Sequence, residues 1–225
     1  YLLARREDSG LPSKNVPGMG ELIDGKVSVK AIRDVDYRDL LGREVVRLDD
    51  ERIVGYLGNA RVLVTGAGGS IGSELCRQIC RFDPSCLILY ERAESPLYEI
   101  DLELRTDYPE AKVVAVLGDI RDRSQLSRAL SDYRPQVVFH AAAYKHVPMM
   151  ELQPWKAVRN NILGTRNVME MSREHGVEKF VLVSTDKAVR PANVMGASKR
   201  VAELLVQNQN GCEPAGTRFI TVRFG

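Results

Sequence analysis

The sequence lacks a strong excess of charge of either sign. Its 225 residues include 32 Lys and Arg against 30 Asp and Glu, which gives a formal net charge of +2. Proteins that hold nucleic acid or anionic lipid concentrate positive charge on one surface, and a balanced composition offers no sign of it. We therefore expect neither nucleic acid nor a membrane surface as the partner of this segment.

Long apolar runs are also absent. A membrane-spanning helix needs about 18 or more consecutive apolar residues, and no stretch of this sequence approaches that length. With 44% hydrophobic and 28% charged residues, the composition is typical of a globular protein. We expect a soluble, cytoplasmic segment and, because it opens on Tyr1 and ends in a strand-like run, a piece of a longer protein.

Cysteine is scarce, with only four residues. Cys76 and Cys80 are four positions apart in a helical pattern, Cys86 lies in an apolar run, and Cys212 stands near the end. No CxxC pair occurs and no histidine stands at metal-ligand spacing. We interpret the cysteines as buried thiols in a reducing compartment, and we expect neither disulfides nor a metal site.

The pattern changes near residue 60. Residues 1–59 hold short apolar patches between Gly, Pro and charges, with weak signals at 27–32 and 38–41, which is typical of a linker or docking arm. Residues 60–225 alternate apolar strand-like runs with helix-like periodicity. This alternation predicts an α/β fold, a Rossmann-like doubly wound parallel sheet of six or seven strands. The predicted strands span 61–65, 86–90, 112–117, 136–141, 180–184 and 219–224.

Apolar residues at helical spacing predict which helix faces are buried. Ile71, Leu75 and Ile79 mark one face after the first strand. Val158, Ile162, Thr165 and Met169 mark a later, long helix. Further helices are predicted at 95–105, 123–132 and 197–206.

A glycine-rich turn between the first strand and the first helix is the strongest local signal. Gly66 allows a tight turn, Gly69 has no side chain to obstruct a pyrophosphate, and Gly72 lets the helix pack closely on the strand. Ser70 and Ile71 begin the helix, where free N–H groups face phosphates. The pattern predicts a dinucleotide site, and the absence of a G-x-x-x-x-G-K-[ST] motif argues against a P-loop NTPase.

The end of the second strand bears on the choice of dinucleotide. Glu91 lies about 20 residues after Gly72, where a carboxylate accepts hydrogen bonds from the adenosine ribose hydroxyls of NAD. Arg92 could instead pair with the 2′-phosphate of NADP, or be an ordinary solvated charge. We favour NAD and keep NADP as the alternative.

Two further segments follow strands at the same predicted edge. Asp119, followed by Ile120, is placed either to meet the adenine amino group or to cap the next helix. Ala141, Ala142 and Ala143 follow the fourth strand, and their small side chains let the backbone run close to a cofactor. We include these residues in the predicted cofactor site.

Three longer stretches resemble a known family: Gly66–Arg77, Tyr144–Glu151, and Ser184–Lys187 followed by Asn193–Lys199. They resemble the nucleotide-sugar 4,6-dehydratases of the extended short-chain dehydrogenase/reductase superfamily, in particular the membrane-associated UDP-N-acetylglucosamine type of bacterial polysaccharide biosynthesis. The resemblance covers about residues 15–225. It implies a homo-oligomer, inner-membrane helices upstream and a substrate-binding segment downstream, neither of which lies within these residues.

The resemblance also implies catalytic roles. A 4,6-dehydratase needs a general acid near the C6 oxygen of the sugar and a base near C5. By resemblance Asp186 is the acid and Lys187 the base, just past the fifth strand. Asp186 must then hold a proton and Lys187 must lose one. We expect a water-poor pocket to shift both pKa values in that direction, and the alternative is a surface Asp and Lys on a loop.

The tyrosine of the superfamily's Y-x-x-x-K pair is missing. Lys199 resembles the lysine of that pair, which holds the nicotinamide ribose, and Met195 stands at the tyrosine position on the same helix face. The membrane-associated subgroup is known for this replacement. A thioether cannot exchange a proton, so the base for the C4 hydroxyl stays open, with Thr185 or a water held by Lys199 as candidates.

The remaining predicted site residues concern the substrate, a UDP-sugar. By resemblance Lys145 and His146 face the sugar nucleotide, where a cation near a diphosphate is favourable, although loop polarity is the alternative. Asn161 either orients the site or packs within it. Competing functions are another nucleotide-sugar enzyme, such as an epimerase or reductase, and a non-catalytic NAD-binding module. An adjacent acid and base favour the dehydratase.

Overall fold

The computed structural model describes most of the chain, and the descriptions below refer to that part. No helix within it is both long and apolar enough to cross a bilayer. Cys212 and the weak signals predicted at 27–32 and 38–41 lie outside the described residues. The described residues are 14–15, 33–34, 50–209 and 216–224.

The chain divides into two compact units, Tyr1–Leu48 and Asp49–Gly225. In the first unit, β1 (Lys14–Asn15) pairs antiparallel with β2 (Arg33–Asp34). Helix α1 (Asp50–Leu57), which falls within the predicted arm, groups with the second unit.

The second unit contains a six-stranded sheet in the order β5-β4-β3-β6-β7-β8, and every pairing is parallel. The chain winds from β3 to one edge and then from β6 to the other, so the prediction of a Rossmann-like doubly wound sheet is confirmed. The strands are β3 (Arg61–Thr65), β4 (Cys86–Glu91), β5 (Val113–Leu117), β6 (Val137–His140), β7 (Lys179–Thr185) and β8 (Arg218–Phe224).

Helices connect the strands and cover both faces of the sheet. Burial on both faces explains why the central strands read as apolar runs rather than alternating ones. Alternate residues of β3 enter different cores: Leu63 joins the core on one face, and Val62 and Val64 join the core on the other. The remaining helices are α2 (Ser70–Cys80), α3 (Glu94–Asp107), α4 (Arg123–Tyr133), α5 (Val147–Leu152), α6 (Pro154–Ala157), α7 (Thr165–Glu174) and α8 (Val194–Gln209).

The predicted buried face of α2 is confirmed at Ile79, which is buried, and at Leu75, which packs against the core, but not at Ile71. Gly72, Cys76, Ile79 and Cys80 are buried, whereas Ile71 is 43% exposed. Ile71 stands in the first turn, beyond the end of the sheet, so the helix face that meets the core begins one residue later. Cys76, Cys80 and Cys86 are buried free thiols, as predicted.

The stripe predicted on the helix after β6 is confirmed at Thr165 and Met169, which are buried, but not at Val158 and Ile162. Residues Val158–Gly164 form a π-helix between α6 and α7. A π-helical turn holds more residues than an α-helical one and shifts every later side chain around the axis. Asn160, Asn161 and Gly164 are therefore buried, while Val158 and Ile162 are only partly buried.

Candidate functional site

A cleft lies along the carboxyl ends of the central strands, where open α/β sheets bind their ligands. Its walls are the glycine turn after β3, the residues that follow β4 and β5, and the run from 141 to 144 after β6. Most of the predicted cofactor residues therefore come together in one place. Their individual roles are not tested by the fold and stay predictions.

Backbone packing accounts for two of the three predicted glycines. Gly66 has a φ of +71°, and a Cβ there would lie 2.7 Å from the backbone of Ala142. A Cβ at Gly72 would lie 1.9 Å from the carbonyl oxygen of Gly66. Gly69 is different, because its only near neighbour is that same oxygen at 3.2 Å. Its open side leaves the cleft free for a ligand.

A further glycine in the turn escaped the sequence analysis. A Cβ at Gly68 would lie 2.5 Å from Cβ of Pro96, in the first turn of α3. Gly68 therefore permits α3 to approach the turn closely. Its signal was present as the first of two adjacent glycines, but the residue that it packs against is known only from the fold.

Glu91 and Arg92 form the wall of the cleft after β4. One oxygen of Glu91 accepts hydrogen bonds from the backbone N–H groups of Arg92 (2.9 Å) and Ala93 (3.0 Å). The guanidinium of Arg92 stacks on the ring of Tyr144, 4.9 Å from its centroid, in cation–π geometry. Arg92 therefore links the two walls of the cleft rather than being only a solvated charge.

Asp119 does not cap the next helix. The N-cap of α4 is Asp122, whose side chain accepts hydrogen bonds from the N–H groups of Ser124 and Gln125. Asp119 instead binds Arg121 through its backbone N–H (2.9 Å) and Nε (3.0 Å). The bonds from Arg121 hold the pKa of Asp119 below its usual value, so a carboxylate stands at this edge of the cleft.

Small and apolar residues line the next part of the cleft, namely Ala141, Ala142, Ala143 and Ile120. The N–H of Ala141 donates to the carbonyl of Thr65 (3.1 Å), and the backbone of Ala142 lies against Gly66. Ala143 continues the same wall, while Ile120 is buried and lies where a Cβ at Gly164 would meet it. This part of the cleft wall carries no charged side chain.

A buried chain of hydrogen bonds runs beneath this wall, and the sequence analysis missed it. His140 Nδ1 lies 2.6 Å from Thr65 Oγ1, and its Nε2 lies 2.9 Å from Thr165 Oγ1. Thr165 gives its own proton to the carbonyl of Asn161 (2.6 Å), so we assign the proton of His140 to Nε2. Burial, assisted by the charge of Lys199, lowers the pKa of His140 to about 3, and the ring is neutral.

Asn161 has all its hydrogen-bonding positions filled by protein. Its Oδ1 accepts from the N–H of Tyr144 (2.8 Å) and from Asn160 (3.1 Å). Its Nδ2 donates to the carbonyl of Tyr144 (3.0 Å) and to Ser198 (2.9 Å). The side chain therefore holds the segment after β6 in place, which fits the predicted orienting role and leaves no free atom for a direct bond to substrate.

Lys145 reaches over the glycine turn. Its Nζ donates to Oγ of Ser70, at 3.2 Å, in the first turn of α2. A cation beside the positive end of a helix dipole is unfavourable unless an anion shares the position. The contact therefore favours an anion such as a phosphate beside the glycine turn, and the predicted contact of Lys145 with the sugar nucleotide stays a prediction. His146 is exposed immediately before α5.

Asp186 and Lys187 lie just past β7, in a short 3-10 helix, Asp186–Ala188. Lys187 Nζ is 3.2 Å from Oδ1 of Asp186, and Thr185 Oγ1 donates to the same oxygen at 2.9 Å. The side chains of Asp186 and Lys187 are 58% and 52% exposed. The adjacent acid and base are thus in contact with each other.

The pKa shift predicted for Asp186 is wrong for this structure. The hydrogen bonds from Thr185 and Lys187 hold the pKa of its carboxyl below the usual value, and its exposure leaves little desolvation to oppose them. A water-poor environment would be needed to raise it. No such environment surrounds the pair within the described residues.

The Asp186–Lys187 pair and the cleft both lie at the carboxyl ends of the strands. β7 is the second strand from β3, and neighbouring strands are about 4.8 Å apart, so their ends are separated by roughly 10 Å. Thr65 pairs with His140, which pairs with Leu182, and β7 continues to Thr185. The pair therefore stands about 10 Å beyond the level of the glycine turn.

Lys199 is buried on α8, with 6% of its surface exposed. Its Nζ donates to the carbonyl of Val183 in β7 at 2.6 Å. Burial lowers the pKa of Lys199 to about 8, and the charge of Glu203 opposes this shift. An ammonium with a depressed pKa is thus fixed beside the strand that carries the acid–base pair.

Met195 is a packing residue. It is 4% exposed and forms a small apolar cluster with Met150 and Ala157. It stands one turn before Lys199, as predicted, but it has no proton to exchange. Met195 therefore packs in this cluster and offers no proton for an acid or base role.

Comparisons with known proteins agree with this geometry. Residues 62–225 match the family model described as polysaccharide biosynthesis protein. The chain is 45% identical over 217 residues to capsular polysaccharide biosynthesis protein CapD of Staphylococcus aureus, covering 96% of this chain and 36% of that protein. It is 35% identical over 166 residues to UDP-N-acetylglucosamine 4,6-dehydratase (inverting) of Campylobacter jejuni, covering 73% and 48%.

Solved structures share the fold. A UDP-glucose 4-epimerase of Thermus thermophilus, determined in complex with NAD, superposes with a TM-score of 0.62 at 27% identity, covering 73% of this chain and 55% of that one. The chain spans half or less of the length of the two curated relatives named above.

Proposed function

Because the chain belongs to the polysaccharide biosynthesis protein family, we propose that it is the dinucleotide-binding part of a nucleotide-sugar 4,6-dehydratase that acts on UDP-N-acetylglucosamine. One observation carries the proposal. A carboxyl and an amine, Asp186 and Lys187, are in hydrogen-bond contact at the sheet edge that also bears the glycine cleft. A protein that only sensed a dinucleotide would need no such pair.

The cleft fits a nicotinamide dinucleotide. The open side of Gly69 and the free N–H groups at the start of α2 suit a pyrophosphate, with Lys145 above them. Glu91 and Asp119 suit the adenosine hydroxyls and the adenine amino group. We propose NAD as the cofactor, with NADP as the alternative because Arg92 lies beside Glu91.

When bound, the dinucleotide would supply hydride acceptance from C4 of the sugar and hydride return to C6, and the ketone at C4 would make the hydrogen at C5 acidic. Lys199 holds the nicotinamide ribose through its ammonium. Lys187 accepts the C5 proton, and Asp186 donates a proton to the departing C6 hydroxyl, which leaves as water. Thr185, hydrogen-bonded to Asp186, keeps that carboxyl oriented. The proton of the C4 hydroxyl passes either to a water held by Lys199 or to Thr185, which gives its own proton to the carboxylate of Asp186 in exchange.

The acid–base pair is exposed, so we propose that a substrate-binding segment covers it in the complete protein. Cover would remove water and raise the pKa of Asp186 toward the range in which it keeps a proton. Residues 1–225 alone would then bind the cofactor but turn over slowly. Upstream membrane anchoring and a homo-oligomeric state are also proposals, carried by the family resemblance alone.

A 4-epimerase is the second candidate, since one structural neighbour is named as such. That reaction returns the hydride to C4 and needs no acid at the C6 oxygen. The buried Met195 in place of a proton-exchanging residue, together with the Asp186–Lys187 pair, favours the dehydratase.

The test is a product assay. Full-length protein is mixed with UDP-N-acetylglucosamine, and the products are followed by NMR. We expect signals of a 4-keto-6-deoxy sugar nucleotide. Appearance of the C4 epimer alone would support the second candidate and refute the first.

A further inference from the structure

A carboxylate outside the proposed machinery is buried and accepts four hydrogen bonds from other side chains. The side chain of Glu203, on α8, is fully buried. Its Oε1 accepts from Ser184 Oγ (2.7 Å) and Arg223 Nε (2.8 Å). Its Oε2 accepts from Arg223 (2.7 Å) and Arg200 (3.0 Å).

These bonds join three elements. Ser184 lies in β7, Arg223 lies in β8, and the two residues are register partners in the sheet. Arg200 and Glu203 lie one turn apart on α8. A buried carboxylate without such partners would be strongly destabilising, so the cluster fixes the position of α8 against the ends of both strands.

The cluster adjoins the candidate catalytic residues on both sides. Lys199 precedes Glu203 by one helical turn, so the two side chains share a face of α8. Lys199 bonds the carbonyl of Val183, and Glu203 bonds the hydroxyl of Ser184, the next residue of β7. The chain then continues directly into Thr185 and the acid–base pair.

We propose that Glu203 is a positioning residue, which through Ser184 and Arg223 holds the end of β7, and thus the Thr185–Lys187 segment, in a fixed relation to Lys199. The inference deepens the proposed function and rests on it for its catalytic consequence. The hydrogen-bond geometry on which it depends does not involve substrate.

The charge of Glu203 adds a second consequence. From α8 the group that faces Lys199 is Glu203, and from β6 it is His140, which is neutral. The Glu203 charge raises the pKa of Lys199 against the effect of burial. Removing it would lower the pKa of Lys199 below about 8. As pH rises, activity that requires the charged ammonium of Lys199 would then be lost at a lower pH than in the wild-type protein.

The experiment compares Ser184→Ala and Glu203→Gln in the full-length protein. Glu103→Gln is the matched control, because Glu103 also receives two bonds from one arginine, Arg77, but between α2 and α3. Ser184→Ala removes only one hydroxyl and keeps the charges, so it decides the case if Glu203→Gln fails to fold. Hydrogen exchange at residues 184–188, dinucleotide Kd, kcat, KM and the pH profile are measured.

We expect Ser184→Ala to lower kcat about tenfold, with KM and dinucleotide Kd within about twofold, because a small misplacement affects the reacting geometry more than binding. Glu203→Gln should lower kcat about 100-fold and move the alkaline decline of activity to lower pH. Both variants should speed exchange at residues 184–188 about tenfold or more, and Glu103→Gln should not.

Unchanged exchange and unchanged kcat in Ser184→Ala would overturn the inference. A fall in kcat with unchanged exchange at residues 184–188 would also overturn it, since the effect would not pass through β7. If the wild-type protein forms no 4-keto-6-deoxy product, the proposed function fails. The exchange comparison then still decides whether Glu203 holds the end of β7.

Discussion

The cofactor cleft and the acid–base segment differ in how they are built. The cleft is formed by backbone. A Cβ would not fit at Gly66 or Gly72, and the backbone of Ala142 lies directly against the glycine turn. The segment at Asp186 and Lys187 is formed by exposed side chains bonded mainly to each other. The cleft is therefore shaped by the packed backbone, whereas the pair at the end of β7 stands open to solvent.

This difference carries a chemical consequence. Within the structure the pKa of Asp186 is held below its usual value, whereas a general acid near neutral pH must keep its proton. Desolvation is the physical change that reverses the shift. Cofactor binding should therefore be a property of this chain, and acid catalysis a property of the covered site.

Of the variants proposed here, Asp186→Asn should cause the largest loss of kcat, and it should leave dinucleotide binding almost unchanged. Loss of a general acid costs about 10²- to 10⁴-fold in kcat. Dinucleotide Kd should stay within about threefold, because the carboxylate lies outside the cleft. Steady-state kinetics of the full-length protein, together with a dinucleotide titration, check both values.

Asp122→Asn is the matched control, because asparagine caps a helix about as well as aspartate and Asp122 is the N-cap of α4. It should leave kcat and stability unchanged. Equal losses of dinucleotide binding and turnover in Asp186→Asn would remove the distinction between the cleft and the acid–base segment.

Gly72→Ala should distort the glycine turn and so disrupt the cofactor cleft. The new Cβ would fall 1.9 Å from the Gly66 carbonyl oxygen, so the turn or the helix must move. We expect a loss of about 3 kcal/mol or more in the free energy of unfolding, together with loss of dinucleotide binding. Urea unfolding and a dinucleotide titration measure these two changes.

Gly55→Ala is the control for Gly72→Ala. Gly55 lies inside α1 with nothing within 4 Å of a Cβ, so alanine should stabilise the helix by about 0.5–1 kcal/mol. Wild-type stability and binding in Gly72→Ala would show that the turn adapts, and the backbone account of the cleft would be wrong.

The parts of the fold that depend on the spacing of apolar residues and of glycines could be predicted from the sequence. The doubly wound parallel sheet follows from apolar runs that alternate with helices, and the position of the cleft follows from a glycine turn between the first strand and helix. The displaced helix face at 158–164 could not be read, since a π-helix leaves no regular signal in the apolar pattern.

Long-range polar pairing escaped the sequence analysis for a similar reason. Thr65, His140 and Thr165 are far apart in sequence, and only the parallel register of β3 and β6 brings the first two together. The four bonds of Glu203 likewise need α8, β7 and β8 in place. The wrong pKa direction at Asp186 arose because exposure depends on the surrounding fold, which a motif does not specify.

Lys145→Gln should give a smaller effect within the cofactor cleft. If its ammonium shares the turn with a phosphate, its loss should weaken dinucleotide binding about tenfold, and the difference should shrink at high salt. Fluorescence or calorimetric titration at two salt concentrations measures it. Lys156→Gln, at an exposed lysine of α6, is the control. If both variants bind as wild type, Lys145 does not contact the cofactor.

His140 should show the smallest response near neutral pH. With its pKa lowered to about 3 by burial, its ring should not titrate between pH 6 and 8 by NMR, in the range where an ordinary histidine, of pKa about 6.5, does. Because the unfolded chain binds this proton more readily, stability should fall as pH drops below about 6.5 toward 3. A titration midpoint near 6.5 in the folded protein would contradict the assigned hydrogen-bond chain.

The central claim is that the dinucleotide cleft and the acid–base segment act on one sugar ring. Full-length protein is given UDP-N-acetylglucosamine carrying deuterium at C4, and the position of the label is read by NMR. The account predicts a 4-keto-6-deoxy product with the deuterium at C6 and no accumulation of reduced dinucleotide. Deuterium retained at C4 of an epimer, or no product from a protein that holds its dinucleotide, would contradict it.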